Sequence, residues 1–405
     1  MQRWATRWLP CPSRRVHRRC FHHDSSIDTV EVSCASSGSI TVDLHNVFRH
    51  SASTPLLIYV PPVSPTPGSQ PSIPRFLRPH PTAVINYRWF SPDSIRPESG
   101  PEEEEEHDFS TPLQWPTPIH DVLSGYGWIT KNLRPEGNSR RDLYVYSSHA
   151  GASLATSLAL TETHQHEPVA VRGLVAWNGI YNWSMFLPDH KINKTARGKS
   201  RKPSPRPEDG STLRFLEREM TGLFRKPADL FDHFASPSLF FQTSGMNVPP
   251  TFTQAADLTA LIDRLSSMTS EHDPSRLLDA TGIVLPTPRR SALKFPPSKS
   301  TLKLPASLLL HDAPAEPVTK RKTKRKLRVA GHTFEAQAQE LAELMRRSLE
   351  KLEFKQRMQW DEEFDVRDAI ARRVSVVDVG ENEGMELGQR GEEAIEAWLE
   401  ERISS

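Results

Sequence analysis

Tyr146-Ser147-Ser148-His149-Ala150-Gly151-Ala152-Ser153-Leu154-Ala155 is the stretch whose reading decides the fold of this chain. The run from Asp142 to Tyr146 that enters it has the apolar character of a buried strand. The small residues from Ala152 to Leu160 that leave it read as a helix. Strand, sharp turn and helix are the setting in which a G-x-S-x-G motif presents a nucleophilic serine. Here positions 147 to 151 are Ser-Ser-His-Ala-Gly, with His149 where the serine belongs. The turn reads as kept and its chemistry as removed.

Outward from this turn, strand-like and helix-like segments alternate. Thr29 to Ser33 and Ser39 to Leu44 read as an antiparallel pair joined by Ser36-Ser37-Gly38. Leu56 to Val60 and Thr82 to Tyr87 are continuous apolar runs, as in strands buried on both faces. Pro118 to Leu133 carries Ile119, Val122, Leu123, Tyr126 and Ile129 at helical spacing. Val171 to Trp177, Ala306 to Leu310 and Arg373 to Val379 complete the predicted strands. A helix is predicted from Thr333 to Phe354, with Phe334, Ala338, Leu341, Met345, Leu349 and Leu352 on one inward stripe, and a last helix from Gly388 to Arg402. Such alternation predicts an α/β fold: a mainly parallel central sheet with helices on both faces.

Between Trp177 and Ala306 the alternation is interrupted. Residues 178–301 read as an insertion after the sixth strand, with helices predicted at Ser211 to Phe224 and Thr253 to Met268. The predicted organisation is therefore residues 1–23 as a leader or basic tail, 24–177 and 302–405 as the two parts of one α/β domain, and 178–301 as its cap. A basic loop at 318–330 lies inside the second part.

Composition bounds the function. A chain of 405 residues with 35 prolines and a mean hydropathy of −0.54 reads as one ordinary core diluted by polar loops. A net charge of +1 gives no global attraction to nucleic acid or membrane. No apolar run approaches the ~20 residues of a membrane span. Cys11, Cys20 and Cys34 suit neither a disulfide framework nor a metal site, so the core alone must hold the fold and no cofactor is implied. In the first 23 residues, Arg3, Arg7, Arg14, Arg15, Arg18 and Arg19 occur with no acid. That is the composition of a mitochondrial transit peptide, the alternatives being cytoplasmic or nuclear residence behind a basic tail.

The chain resembles the α/β-hydrolase superfamily, and within it the branch of hormone-sensitive lipase and related esterases. Leu56-Leu57-Ile58-Tyr59-Val60 resembles the strand before that family's oxyanion loop. Ala83-Val84-Ile85-Asn86-Tyr87-Arg88 resembles its next strand, which ends in a Tyr-Arg pair. Trp115-Pro116-Thr117-Pro118-Ile119-His120-Asp121-Val122, followed by Trp128, resembles its Pro-…-Asp-Val-…-Trp helix. The resemblance implies an acyl-transfer site beneath a cap. It also implies a serine at 149, glycines after Val60, an acid after the seventh strand and a histidine after the eighth.

Three of these four parts are missing. Position 149 is His; the oxyanion stretch is Pro61-Pro62-Val63, in which the prolines offer no N–H; and the final loop, 380–388, holds no His. Only the acid has candidates near its place, His311-Asp312 and Glu316, without the family's usual Asp-Pro-Leu pattern. The joint loss points to a non-catalytic descendant that serves as a binding or interaction scaffold.

Rival readings remain open. Ser148 or Ser153 as a shifted nucleophile, with His149, His311 or His332 as base, would give a carboxylesterase-like hydrolase with a rearranged site. The bland alternative is that these serines satisfy backbone groups at a strand end and a helix start. A residual pocket at Pro61, Pro62, His149 and Ala150 would take a small apolar ligand, and a protein partner is the other candidate. The His pairs 22–23 and 164/166 have no metal-ligand spacing, so no metal is expected. Lys320, Arg321, Lys322, Lys324, Arg325 and Lys326 read as a nuclear-import patch, which would contradict the mitochondrial reading, or as a contact for nucleic acid or an anionic membrane in a third reading, that of an RNA- or membrane-associated mitochondrial factor. A solvated loop is its bland counterpart.

Overall fold

The computed structural model describes residues 27–35, 38–63, 72–90, 113–187, 190, 192–193, 207, 211–243, 295–297, 299–313, 332–355, 357–382 and 386–403. The arginine-rich leader, the basic residues 320–326 and the helix predicted at 253–268 lie outside them.

Leu56–Val60 is buried at every position, because helices cover both faces of the sheet it belongs to. Around this strand, β3, lie β1 (Ile27–Ser33), β2 (Ser39–His45), β4 (Thr82–Asn86), β5 (Arg141–Ser148), β6 (Val169–Trp177), β7 (Ala306–His311) and β8 (Val374–Asp378). They form one sheet in the order β1-β2-β4-β3-β5-β6-β7-β8. β2 runs antiparallel to both β1 and β4, and every pairing from β4–β3 onward is parallel. The edge strand β1 alternates instead, turning Val30 and Val32 inward.

The helices are α1 (Thr117–Asn132), α2 (Gly151–Thr161), α3 (Thr212–Leu223), α4 (Phe334–Ser348), α5 (Arg357–Trp360), α6 (Val366–Arg373) and α7 (Gln389–Ile403). One face of the sheet packs Ile58, Val145 and Leu309 against Ile119 and Val122 of α1, Leu154 and Leu158 of α2, and Leu341 and Met345 of α4. The other packs Tyr144 and Leu308 against Ile395, Trp398 and Leu399 of α7. Burial of each such aliphatic side chain contributes about 1.5–3 kcal/mol, and together these two layers fix the strand ends that carry the site.

The predicted stripe on α4 holds through Leu349 and then fails. Leu349–Glu353 is a π-helical turn, whose extra residue rotates the following side chains, so Leu352 is 39% exposed instead of inward. The short helices α5 and α6 have no counterpart among the predicted elements.

The insertion begins at the end of β6 and docks through aromatic rings. Trp183 and Phe224 stand 5.1 Å apart, and Phe224 meets Trp89 at 5.5 Å. The Trp89 indole N–H donates to the Leu223 carbonyl, 2.9 Å away at the end of α3. Gln337 of α4 pins the start of the insertion: its Oε1 accepts from the backbone N–H groups of Tyr181 and Asn182, both at 2.9 Å.

Candidate active site

β5 ends at Ser148, and the chain then turns through His149, which has a left-handed φ of 52°. A non-glycine residue in that region is uncommon, although histidine enters it more readily than most. Three bonds hold the conformation. The His149 N–H donates to the Trp177 carbonyl at 3.0 Å, and the His149 carbonyl accepts from Ile180 N–H at 3.2 Å and Ala152 N–H at 3.3 Å. The turn is therefore clamped by the residues that leave β6.

Gly151 opens α2 where the Pro61 carbonyl crosses it. A Cβ at 151 would lie 2.2 Å from Pro61 O and 2.7 Å from Ser147 Oγ. The close approach that glycines of an oxyanion loop would permit is thus met from the other side, by Gly151. Pro61 O is also an acceptor for the Tyr87 hydroxyl, at 2.7 Å. Two further residues meet nearby: Arg88 grips Asp121 with Nη2 on Oδ1 at 2.7 Å and Nε on Oδ2 at 2.9 Å. This ties the end of β4 to α1.

Two of the turn's three serines, Ser147 and Ser153, are bonded to the main chain. Ser147 Oγ donates to Val60 O at 2.6 Å, and Ser153 Oγ, inside α2, donates to Ala150 O at 2.6 Å. Ser148 and Ala150 are buried. The His149 imidazole is 2% exposed and its Nδ1 has no hydrogen-bond partner among the described residues. Its ring stands edge-on to Trp177, with centroids 4.9 Å apart, and to Phe334 at the start of α4, 5.8 Å away. Burial lowers its pKa to about 4, so the ring is neutral at neutral pH. Within the described residues there is thus no hydroxyl–imidazole pair at this turn of the kind that activates a nucleophile.

Asp312, expected near the acid's place, has an indole and an amide as partners. Asp312 follows β7; its Oδ1 accepts from Trp177 Nε1 at 2.9 Å and its Oδ2 from Asn178 Nδ2 at 2.6 Å. Burial raises the carboxyl pKa, and these two donors oppose the rise. His311 Nδ1 lies 3.2 Å from the Asp312 carbonyl. His332 is turned to the insertion, with Nε2 2.6 Å from Asn193 Oδ1 and its ring stacked on Phe186. The described parts of the loop after β8 contribute Asp378 Oδ1 as an acceptor for Gly380 N–H, and no imidazole.

Of the four predicted pocket residues, His149, Ala150 and Pro61 are buried and Pro62 is partly exposed. None of them lines one open surface cleft of about 730 Å³ formed by described residues. That cleft lies at the opposite ends of the strands, beside Ala306, Phe364 and Arg373. Among the described residues no cluster of three or more His, Cys, Asp or Glu side chains is placed to hold a metal ion. No described helix is long and apolar enough to cross a membrane. Sequence reasoning did not anticipate Trp177, Asn178 and Phe334 as parts of the site. The available signal was an Asn directly after a strand, a turn residue that enters the left-handed region readily, as Asn178 does with φ 49°.

No family model and no curated protein matches the chain. Solved structures do. The hyperthermophilic esterase of the archaeon Pyrobaculum calidifontis is 12% identical over 96% of this chain and 84% of its own, with a TM-score of 0.45. Carboxyl esterase 2 of the mycorrhizal fungus Tuber melanosporum is 10% identical over 98% of this chain and 92% of its own, with a TM-score of 0.46. An esterase/lipase from an uncultured bacterium is 10% identical over 95% and 88%, with a TM-score of 0.44. The strand order, with β2 antiparallel and a left-handed turn between β5 and α2, is decisive in itself. The chain has the α/β-hydrolase fold.

Proposed function

We propose that this α/β-hydrolase-fold protein is a non-catalytic member of its fold that works as a binding or interaction scaffold. One observation carries the reading. At the turn where a hydrolase activates its nucleophile, the hydroxyls of Ser147 and Ser153 are bonded to carbonyl oxygens, no described imidazole is bonded to Ser148, and the buried Nδ1 of His149 has no partner among the described residues. Acyl transfer on this fold needs an activated hydroxyl, a base and oxyanion donors together. A scaffold needs only the fold, a surface and whatever occupant the remaining site selects, whether a small apolar ligand or a protein. The arginine-rich first 23 residues add the proposal that the protein acts in mitochondria.

A second reading, a carboxylesterase-like hydrolase with a rearranged site, is favoured by Asp312, which keeps the acid's place and a carboxylate with two donors. One experiment separates the two. The purified full chain is incubated with a fluorophosphonate serine probe and with short p-nitrophenyl esters. The scaffold reading expects neither labelling nor turnover above the background hydrolysis of the esters. Labelling of Ser148 or Ser153, or turnover that His149→Ala abolishes, would establish the esterase instead. For the location, residues 1–30 fused to a reporter should direct it to mitochondria; a diffuse or nuclear signal removes that proposal.

A further inference from the structure

The bonds around Asp312 converge on His149. The exit turn of β6 brackets His149 on both sides, through Trp177 O and Ile180 N–H. The same turn is tied to β7 by Asn178 N–H, which donates to Leu310 O at 2.9 Å. Asp312, two residues further along, then takes hold of the turn's side chains. Each carboxylate oxygen accepts one donor, the Trp177 indole and the Asn178 amide, and Asp312 N–H returns a bond to Asn178 Oδ1 at 2.9 Å. The indole has only one N–H, so anchoring its nitrogen edge on Asp312 fixes which way the ring lies. That ring is one wall around His149, and Phe334 is another. The ionisable groups that face the Asp312 carboxylate are His311 and Asp378, at the ends of β7 and β8.

We infer that Asp312 is a positioning residue that seals the elbow: its carboxylate fixes Trp177 and Asn178, and these hold the β6 exit turn closed over His149. In this arrangement the triad's acid has changed employment. It orients an indole and a turn, and the product is an imidazole kept out of water in a neutral form. Asn178 makes the device specific, because its left-handed backbone and both polar atoms of its amide are engaged at once.

The test uses the full chain and reads the accessibility of one side chain. Diethyl pyrocarbonate acylates accessible neutral imidazoles, and peptide mapping by mass spectrometry locates the modified histidines. In the wild type, His149 should stay unmodified under conditions in which His166, whose side chain is 59% exposed, reacts fully. Asp312→Asn should raise the rate at His149 about tenfold, the change expected when weakened hydrogen bonds let a local segment open more often, without raising the rate at His166. Asn178→Gly keeps the left-handed turn, which glycine adopts freely, and removes both side-chain bonds; it should raise the rate likewise. If both variants fold and His149 stays protected in each, the seal is wrong. If Asp312→Asn does not fold, Asn178→Gly decides. If neither folds, hydrogen exchange of the wild-type Trp177 indole N–H decides, slow exchange supporting the anchor and exchange at the rate of a free indole overturning it. A failure of the seal would leave ester turnover unaddressed, and ester turnover by the wild type would leave the seal intact, so this inference and the scaffold reading fail separately.

Discussion

Two corners of this sheet treat a buried ionisable side chain in opposite ways. At the β4–α1 corner, Asp121 is wholly buried and answered by Arg88 with two side-chain bonds and a third from the Arg88 backbone N–H, at 3.0 Å. At the elbow, His149 is equally inaccessible and no described residue answers its Nδ1. A carboxylate that stays charged in the interior needs a partner, because desolvation costs several kcal/mol per ion. An imidazole avoids that requirement by giving up its proton. The difference is one of charge: the buried carboxylate at the β4–α1 corner is held by a guanidinium, whereas the buried imidazole at the elbow is neutral and carries no charge to be answered.

The comparison breaks most visibly at the first corner. Arg88→Met leaves the Asp121 carboxylate buried without its guanidinium and should cost about 3–5 kcal/mol in urea unfolding. Adding Asp121→Leu should recover most of that loss, since an apolar pair of similar volume needs no solvation. A single-variant loss below about 1 kcal/mol would mean that water already reaches the corner and that the two sites do not differ in kind. Next in size is Gly151→Ala. The added carbon meets a backbone carbonyl at 2.2 Å, and backbone yields less readily than a side chain. A loss of about 1–3 kcal/mol is expected, the usual cost of overpacking. A neutral result would show that the strand–loop contact at Pro61 is loose, and the elbow would no longer count as a rigid scaffold.

What could be read from the sequence follows the same division. β3, β5 and β6 were legible because continuous apolar runs between turn residues have few other uses, and the turn at His149 because a strand ran directly into a helix of small residues. The Tyr87-Arg88 and Asp121 motifs were legible as a resemblance, and the structure supplies their reason as one ion pair and one hydroxyl on Pro61. The seal on His149 was not legible. Trp177 and Phe334 are separated by the whole insertion, and nothing local marks them as neighbours. α5 and α6, four and eight residues long, are too short to show a period, and the π-turn at Leu349–Glu353 shifts a stripe that the periodicity would have continued. Local pattern fixes elements; pairing across the sheet is settled by packing that no window of sequence contains.

The smallest effect is also the sharpest on the comparison, because it reads His149 through its proton. Burial has lowered this pKa from its ordinary value near 6.5 to about 4. Between those values the unfolded chain binds a proton that the folded chain refuses, so stability must fall as the pH drops through that window and is fully present above it. His149→Asn removes the titration and keeps a residue that tolerates the left-handed turn. Its own cost, whatever its size, does not change with pH. His45 and His80 are shifted the same way by burial, but they remain in both proteins and cancel in the difference. From roughly pH 7.5 to 5.5, the wild type should therefore lose on the order of 1 kcal/mol more than the variant. Parallel stability curves across that range would mean that the folded chain takes up the proton as readily as the unfolded one. The imidazole would then have a partner or water at Nδ1, and the contrast with Asp121 would reduce to one of degree.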